Sequence, residues 1–224
     1  MDPYLNPQSK LDHDLVDLRD DVLRLSSMVD KAIGESVRAL GELNTSLAQD
    51  IIADDESINL FRFQIEQKCH QMLFLQQPTA RDMRSVITAI HIAIELERIA
   101  DHAAGISKLT IQLAQQPLIK PLVDIPKMCN ISRKMLEDSL DAYVHWNSDL
   151  AHEVFKRDDL VDDLDKLVFK DLIDLMLDNP QNITGGTYLL WVAHNLERIA
   201  DRITNICERV IFMVTGELML EEQG

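Results

Sequence analysis

Apolar and polar positions along this chain follow a helical pattern over long stretches, with few interruptions. Prolines mark most of the breaks. Pro3 and Pro7 lie near the N-terminus, Pro78 follows Gln76-Gln77, and Pro180 follows Asp178-Asn179, while Pro117, Pro121 and Pro126 crowd into ten residues. Asn44-Thr45-Ser46 and Asn147-Ser148-Asp149 add two more breaks, each offering Asn as a helix stop and Ser, Thr or Asp as an N-cap. Together they predict six helices, at about 9–44, 46–76, 79–115, 124–147, 149–178 and 182–217. On the third, Arg84, His91, Glu95, Arg98 and His102 gather on a polar face, and Met83, Ile90 and Ile94 mark the packed side.

The pattern repeats. Leu96-Glu97-Arg98-Ile99-Ala100-Asp101 returns without change as Leu196-Glu197-Arg198-Ile199-Ala200-Asp201, 100 residues later. Upstream, Ser46-Leu47-Ala48 through Asp55, Ile58 and Asn59 matches Asp149-Leu150-Ala151 through Asp158, Val161 and Asp162 at an offset of 103. The difference between the two offsets fits a loop-length change between the second and third helices of each half. The expected organisation is a tandem duplication of a three-helix unit: residues 9–116, a proline-rich linker at 117–123, and residues 124–217.

Composition supports an all-α fold. Seven Gly and seven Pro in 224 residues are too few for a sheet protein, which needs a turn roughly every 8–12 residues. The balance of 22 Lys+Arg against 38 Asp+Glu leaves a net charge of −16, which opposes binding to nucleic-acid phosphates or anionic lipid. No apolar run reaches the roughly 18 residues of a membrane span. The opening MDPYLNPQSKLDHDL lacks the basic and apolar regions of a leader, so a cytoplasmic protein without membrane insertion is expected. Cys69, Cys129 and Cys207 are odd in number and widely spaced, as suits reduced thiols.

The charge excess is partly patterned. Glu97/Asp101 and Glu197/Asp201 are spaced i, i+4, as are Asp55/Asn59 and Asp158/Asp162 on the preceding helices. Like charges at that spacing cost about 0.2–0.5 kcal/mol in an isolated helix, so arginines or a bound cation should compensate them. A solvated face laced with salt pairs explains one such pair. Four placed pairs, with Glu97 and Asp101 set at the edge of the packed face, instead suggest an oxygen-rich cation site. Structural and protease-type zinc motifs are absent, as is the Glu-x-x-His of ferritin-like di-iron bundles. The Asp158–Asp165 run lacks the glycine of a calcium-binding EF-hand loop and reads as a solvated face, apart from Asp158 and Asp162. The expected cofactor is therefore a divalent or trivalent ion on carboxylates (Fe, Mn, Mg, Zn or Ca), and the ligand types do not choose among these. His91, His102 and His194 read as surface residues, and Gly185-Gly186 follows no strand that could make a nucleotide loop.

Gln77-Pro78-Thr79-Ala80-Arg81-Asp82-Met83-Arg84, the Leu96–Asp101 motif, Asn205-Ile206-Cys207-Glu208 and Val214-Thr215-Gly216-Glu217 together resemble the PhoU family of phosphate-transport accessory proteins. The match runs in order from about Asp14 to Glu217 and includes the duplication. The resemblance implies two three-helix bundles related by a pseudo-twofold axis, with E/D-xxx-D motifs that bind metal. Carried over, those residues are Asp55, Glu97 and Asp101, then Asp158, Asp162, Glu197 and Asp201. Asn59 stands where the second half has Asp162 and Gly105 where it has Asn205, which implies a weaker first site; Ala100 and Ala200 replace a glycine common in the family motif. The resemblance further implies a non-enzymatic cytoplasmic homodimer that represses the phosphate-starvation response. Such a protein links the ATPase subunit of a phosphate ABC importer to a sensor histidine kinase and limits uptake. Two other classes use the same residues differently: a metal-dependent phosphate-ester hydrolase, which lacks an evident general base, and a metal-free helical interaction module.

Overall fold

The computed structural model describes residues 10–76 and 78–217. Its helices are α1 (Lys10–Glu42), α2 (Thr45–Gln76), α3 (Ala80–Leu113), α4 (Asp124–His145), α5 (Ser148–Phe155), α6 (Asp158–Asp178) and α7 (Ile183–Thr215), with a 3-10 turn at Pro180–Asn182. The described residues contain no strand. In α1, Leu18, Val22, Leu25, Val29, Ile33, Val37 and Leu40 recur at the three- and four-residue spacing of one helix face, and all are buried.

The predicted helices recur with one correction. The stretch expected as a single helix over 149–178 is broken at Lys156-Arg157 into α5 and α6. No helix breaker stands there. Instead the backbone tightens locally, the Arg157 amide donating to the Val154 carbonyl at 2.9 Å, and the Arg157 guanidinium reaches Asp138 of α4 at 2.5 Å. A tertiary ion pair thus sits at the interruption, and Asp158 opens α6.

Both halves turn their first corner alike. Leu43 and Trp146, 103 residues apart, hold left-handed backbone with φ of 49° and 55°. Each is followed by an asparagine whose side chain caps the next helix: Asn44 Oδ1 accepts from the Leu47 amide at 3.1 Å, and Asn147 Oδ1 from the Leu150 amide at 3.0 Å.

A contiguous apolar core runs through both halves. α3 and α7 meet along it, as do α1 and α4, so each of these contacts joins equivalent helices of the two repeats. Ala100 and Ala200 are buried on α3 and α7, within the packed face. Cys69, Cys129 and Cys207 are free and buried, and burial pushes their thiols up to about 12, 11 and 12. Between α1 and α4, Arg133 makes a two-pronged ion pair with Asp30, both bonds 2.7 Å. A Cβ on Gly34 would come within 3.1 Å of that guanidinium carbon, so the glycine makes room for it.

The polar face expected on the third helix is in large part a seam against α7. His102 Nδ1 lies 3.0 Å from Asn195 Oδ1, and Arg84 Nε donates to the Met213 carbonyl at 3.2 Å. Glu95 accepts from Asn205 at 3.3 Å and lies 3.6 Å from both Arg98 and Arg202. His91 and His102 are accordingly half-buried, and desolvation lowers both their pKa values, correcting the surface assignment. A Cβ on Gly105 would lie 3.0 Å from Asn195 Oδ1. Gly105 and Asn205 therefore belong to this seam.

Candidate metal centre

The second half gathers its acidic residues where α6 packs on α7. Asp158, Asp162 and Asp165, at i, i+4 and i+7, are half-buried on α6, while Asp159 and Asp163 face solvent. Glu197 and Asp201 stand one turn apart on α7. The groups feel one another strongly. Burial, then repulsion from Asp162, Asp201 and Glu197, pushes the Asp158 carboxyl up to about 7. Burial followed by Asp201 raises Glu197, with Arg198 and His194 opposing. Burial also raises Asp165, against the pull of His194.

Two acceptor atoms here are left over. Asp158 Oδ1 and Glu197 Oε2 are buried without a hydrogen bond. Glu197 Oε2 does have cationic neighbours, Arg198 Nε at 3.2 Å and His194 Nδ1 at 3.4 Å, so it gains attraction without a directed bond. Arg198 also pairs with Asp201 at 2.8 Å. The cluster is a set of hard oxygen donors, the ligand type that a hard cation favours.

The first half brings Asp55, Glu97 and Asp101 together where α2 packs on α3. Burial and then Asp101 raise Asp55, and Lys108 opposes. Glu97 is raised by burial and Asp101, and Arg62 opposes. Asn59 accepts a long bond, 3.5 Å, from Arg62 Nη2. The same guanidinium donates to Glu66 at 2.6 Å and lies 3.6 Å from the Phe63 ring centre. Among the described residues, the buried side-chain atoms without a hydrogen bond are its Nε in this half, and Arg202 Nε besides the two acceptors in the other.

Among the described residues, no three His, Cys, Asp or Glu side chains are drawn closely enough together to hold one ion. The carboxylates are neighbours without a shared focus. The candidate residues thus assemble as two clusters, one per half. Sequence reasoning passed over Asp165, Arg62 and the His194 contact. The spacing 158, 162, 165 signals Asp165, whereas Arg62 carries no local sign of its role. A surface groove of about 740 Å³ between α1 and α4 is lined by none of these carboxylates.

The PhoU domain family model matches the chain twice, over residues 22–110 and 125–210. A phosphate-specific transport system accessory protein PhoU homolog from Clostridium acetobutylicum is 38% identical over 205 residues, covering 91% of this chain and 94% of the relative. Its counterpart from Aquifex aeolicus is 34% identical over 219 residues, with 96% and 99% covered. The crystal structure of PhoU from Pseudomonas aeruginosa superposes with a TM-score of 0.88 at 31% identity, over 93% of this chain and all of that one. The phosphate transport system regulatory protein PhoU from Streptococcus pneumoniae gives 0.87 at 32% identity, over 94% of this chain.

Proposed function

The chain belongs to the PhoU family, and from that premise we propose that it is a regulatory accessory protein of a phosphate importer, with a cation held by Asp158, Asp162, Glu197 and Asp201. In this reading it is a cytoplasmic, non-catalytic homodimer. It docks on the importer's ATPase subunit and on a sensor histidine kinase, and it damps uptake and the starvation response when phosphate is plentiful. Family membership across both halves supports the regulatory role, since the relatives matched are named as accessory or regulatory proteins. No described helix is long and apolar enough to cross a membrane, so docking rather than insertion would bring the protein to a transporter.

The observation that carries the metal assignment is the pair of orphaned acceptors, Asp158 Oδ1 and Glu197 Oε2, within one acidic cluster. A bound cation would satisfy those oxygens and cancel the mutual repulsion that raises the Asp158 carboxyl. Its role would be to lock α6 against α7 and shape the face presented to partners.

Co-purification tests the regulatory part. The protein should retain the importer ATPase subunit and the sensor kinase at high phosphate, and association with neither overturns the adaptor role. Elemental analysis tests the metal: purified protein should carry it, and a D158N/E197Q variant should lose at least about tenfold in affinity.

A further inference from the structure

We propose that two copies of this chain pair through the outer face of α2, antiparallel, about a two-fold axis between Lys68 and Cys69. That pairing rests on the homodimer reading above and gives it a face.

On α2, Ile58, Ile65, Cys69 and Met72 are buried, and the opposite side of the helix carries Leu60, Phe63, Gln67, His70 and Phe74. Their spacing of three and four residues is that of a coiled-coil seam. Its apolar members are open to water: Leu60 is 60% exposed, Phe63 55% and Phe74 84%. Between Ser57 and Leu75 no exposed residue is Asp, Glu, Lys or Arg. The charged residues of that span are part-buried and paired, Arg62 with Glu66 at 2.6 Å and Lys68 with Asp21 of α1 at 2.7 Å.

The other repeat carries an ordinary version of this face. The offset of 103 aligns buried Ile58, Ile65 and Cys69 with buried Val161, Val168 and Leu172 of α6, so the outer faces of the two helices are equivalent. There α6 has Asp163, Lys166 and Lys170 in place of Leu60, Phe63 and Gln67, with a solvated salt pair of 3.3 Å between the first two. A face kept apolar and free of formal charge in one repeat alone marks a contact.

A second copy fits that contact. Each chain carries −16, so two copies repel except where they meet through a surface without formal charge. The seam is also self-complementary. A two-fold contact sets residue i against j and j against i. With the axis between Lys68 and Cys69, Phe63 of each copy meets Phe74 of the other, and Gln67 meets His70. Aromatic pairs then close both ends, and the polar pairs between them fix the register. Antiparallel packing also opposes the two helix dipoles.

Analytical ultracentrifugation of the full-length protein over a range of concentrations tests the face. Wild-type chain should dimerise as concentration rises. F63E/F74E should weaken dimerisation at least about hundredfold. L160E/L177E, which adds the same charge at exposed positions of α6, should leave it unchanged. Circular dichroism melts identify a variant that fails to fold, and F63S/F74S then replaces the first. Register is read by mild oxidation of cysteine variants, the native thiols being buried. A mixture of F63C and F74C chains should cross-link. F63C alone should not, because the eleven residues from Phe63 to Phe74 set its two copies about 16 Å apart. A dimer retained by folded F63E/F74E overturns the inference and leaves the homodimer reading standing. Equal loss in L160E/L177E traces the effect to added charge and overturns the inference too, as does cross-linking of F63C alone with no gain from F74C. Wild-type protein that stays monomeric at its highest soluble concentration overturns the homodimer reading together with the inference. If F63E/F74E then loses the importer ATPase subunit, the face belongs to a different partner.

Discussion

The two halves share their packing and differ in their chemistry. Leu96 and Leu196, Ile99 and Ile199, Ala100 and Ala200 are buried at matching places, and the corner residues Leu43 and Trp146 adopt the same rare backbone. Around the carboxylates the match fails. The first cluster has Asn59 bonded to Arg62 and Lys108 acting on Asp55, while the second keeps Asp162 and Asp165, pairs Glu197 and Asp201 with Arg198, and leaves two acceptors without a hydrogen bond. Core positions answer to volume and shape, which both copies need equally. Polar positions at a helix junction answer to charge, and charge can be balanced by a tethered arginine or by an ion from solution. One scaffold therefore carries two different sets of charges.

The largest expected effect probes the shared layer. Leu96→Ala and Leu196→Ala remove equivalent, fully buried side chains and should each cost about 2–5 kcal/mol in urea denaturation. A large gap between the two would break the equivalence of the cores. The next effect separates the clusters. In metal-free protein, the folded chain keeps a proton on Asp158 up to about pH 7, whereas the unfolded chain releases it near the ordinary value of 3.8. Protons favour the folded state across that window, so this group's contribution to stability declines as pH rises from about 4 to 7. Asp158→Asn should flatten the decline and raise the melting temperature of chelator-treated protein at pH 8. Asp55→Asn, with Lys108 beside it, should do so less. Equal responses would mean that the two clusters are electrostatically alike. The smallest effect returns to the shared layer: Asn44→Ala and Asn147→Ala each remove one helix cap and should lower stability by about 1 kcal/mol, in thermal melts, by matching amounts.

Much of the fold was legible because its signals are local. Breakers and caps at Asn44, Asn147 and the prolines placed the helix ends, and the copied Leu96–Asp101 segment exposed the duplication. The break before Asp158 was hidden, because Lys156-Arg157 carries no breaker and the ion pair there comes from α4. The seam between α3 and α7 was hidden for a related reason. Glu95 and His102 look solvated on their own helix, and only Arg202, Asn195 and Asn205 across the interface reveal a partnered polar contact. At the site, i, i+4 spacing made the carboxylate pairs visible. The electrostatic pull of Arg62 on Glu97 acts from α2 to α3, and no spacing within one helix encodes that.

The ion pair between Asp30 and Arg133 has a consequence for how the chain assembles. These residues occupy the same place in the two repeats, so the bridge spans the pseudo-twofold axis and joins a position to its own counterpart. Two identical first halves packed in this way would set aspartate against aspartate, and two second halves arginine against arginine. Like charges at such a contact are repulsive. The bridge therefore acts as a polarity key, making each half the preferred mate of the other and a poor mate for itself.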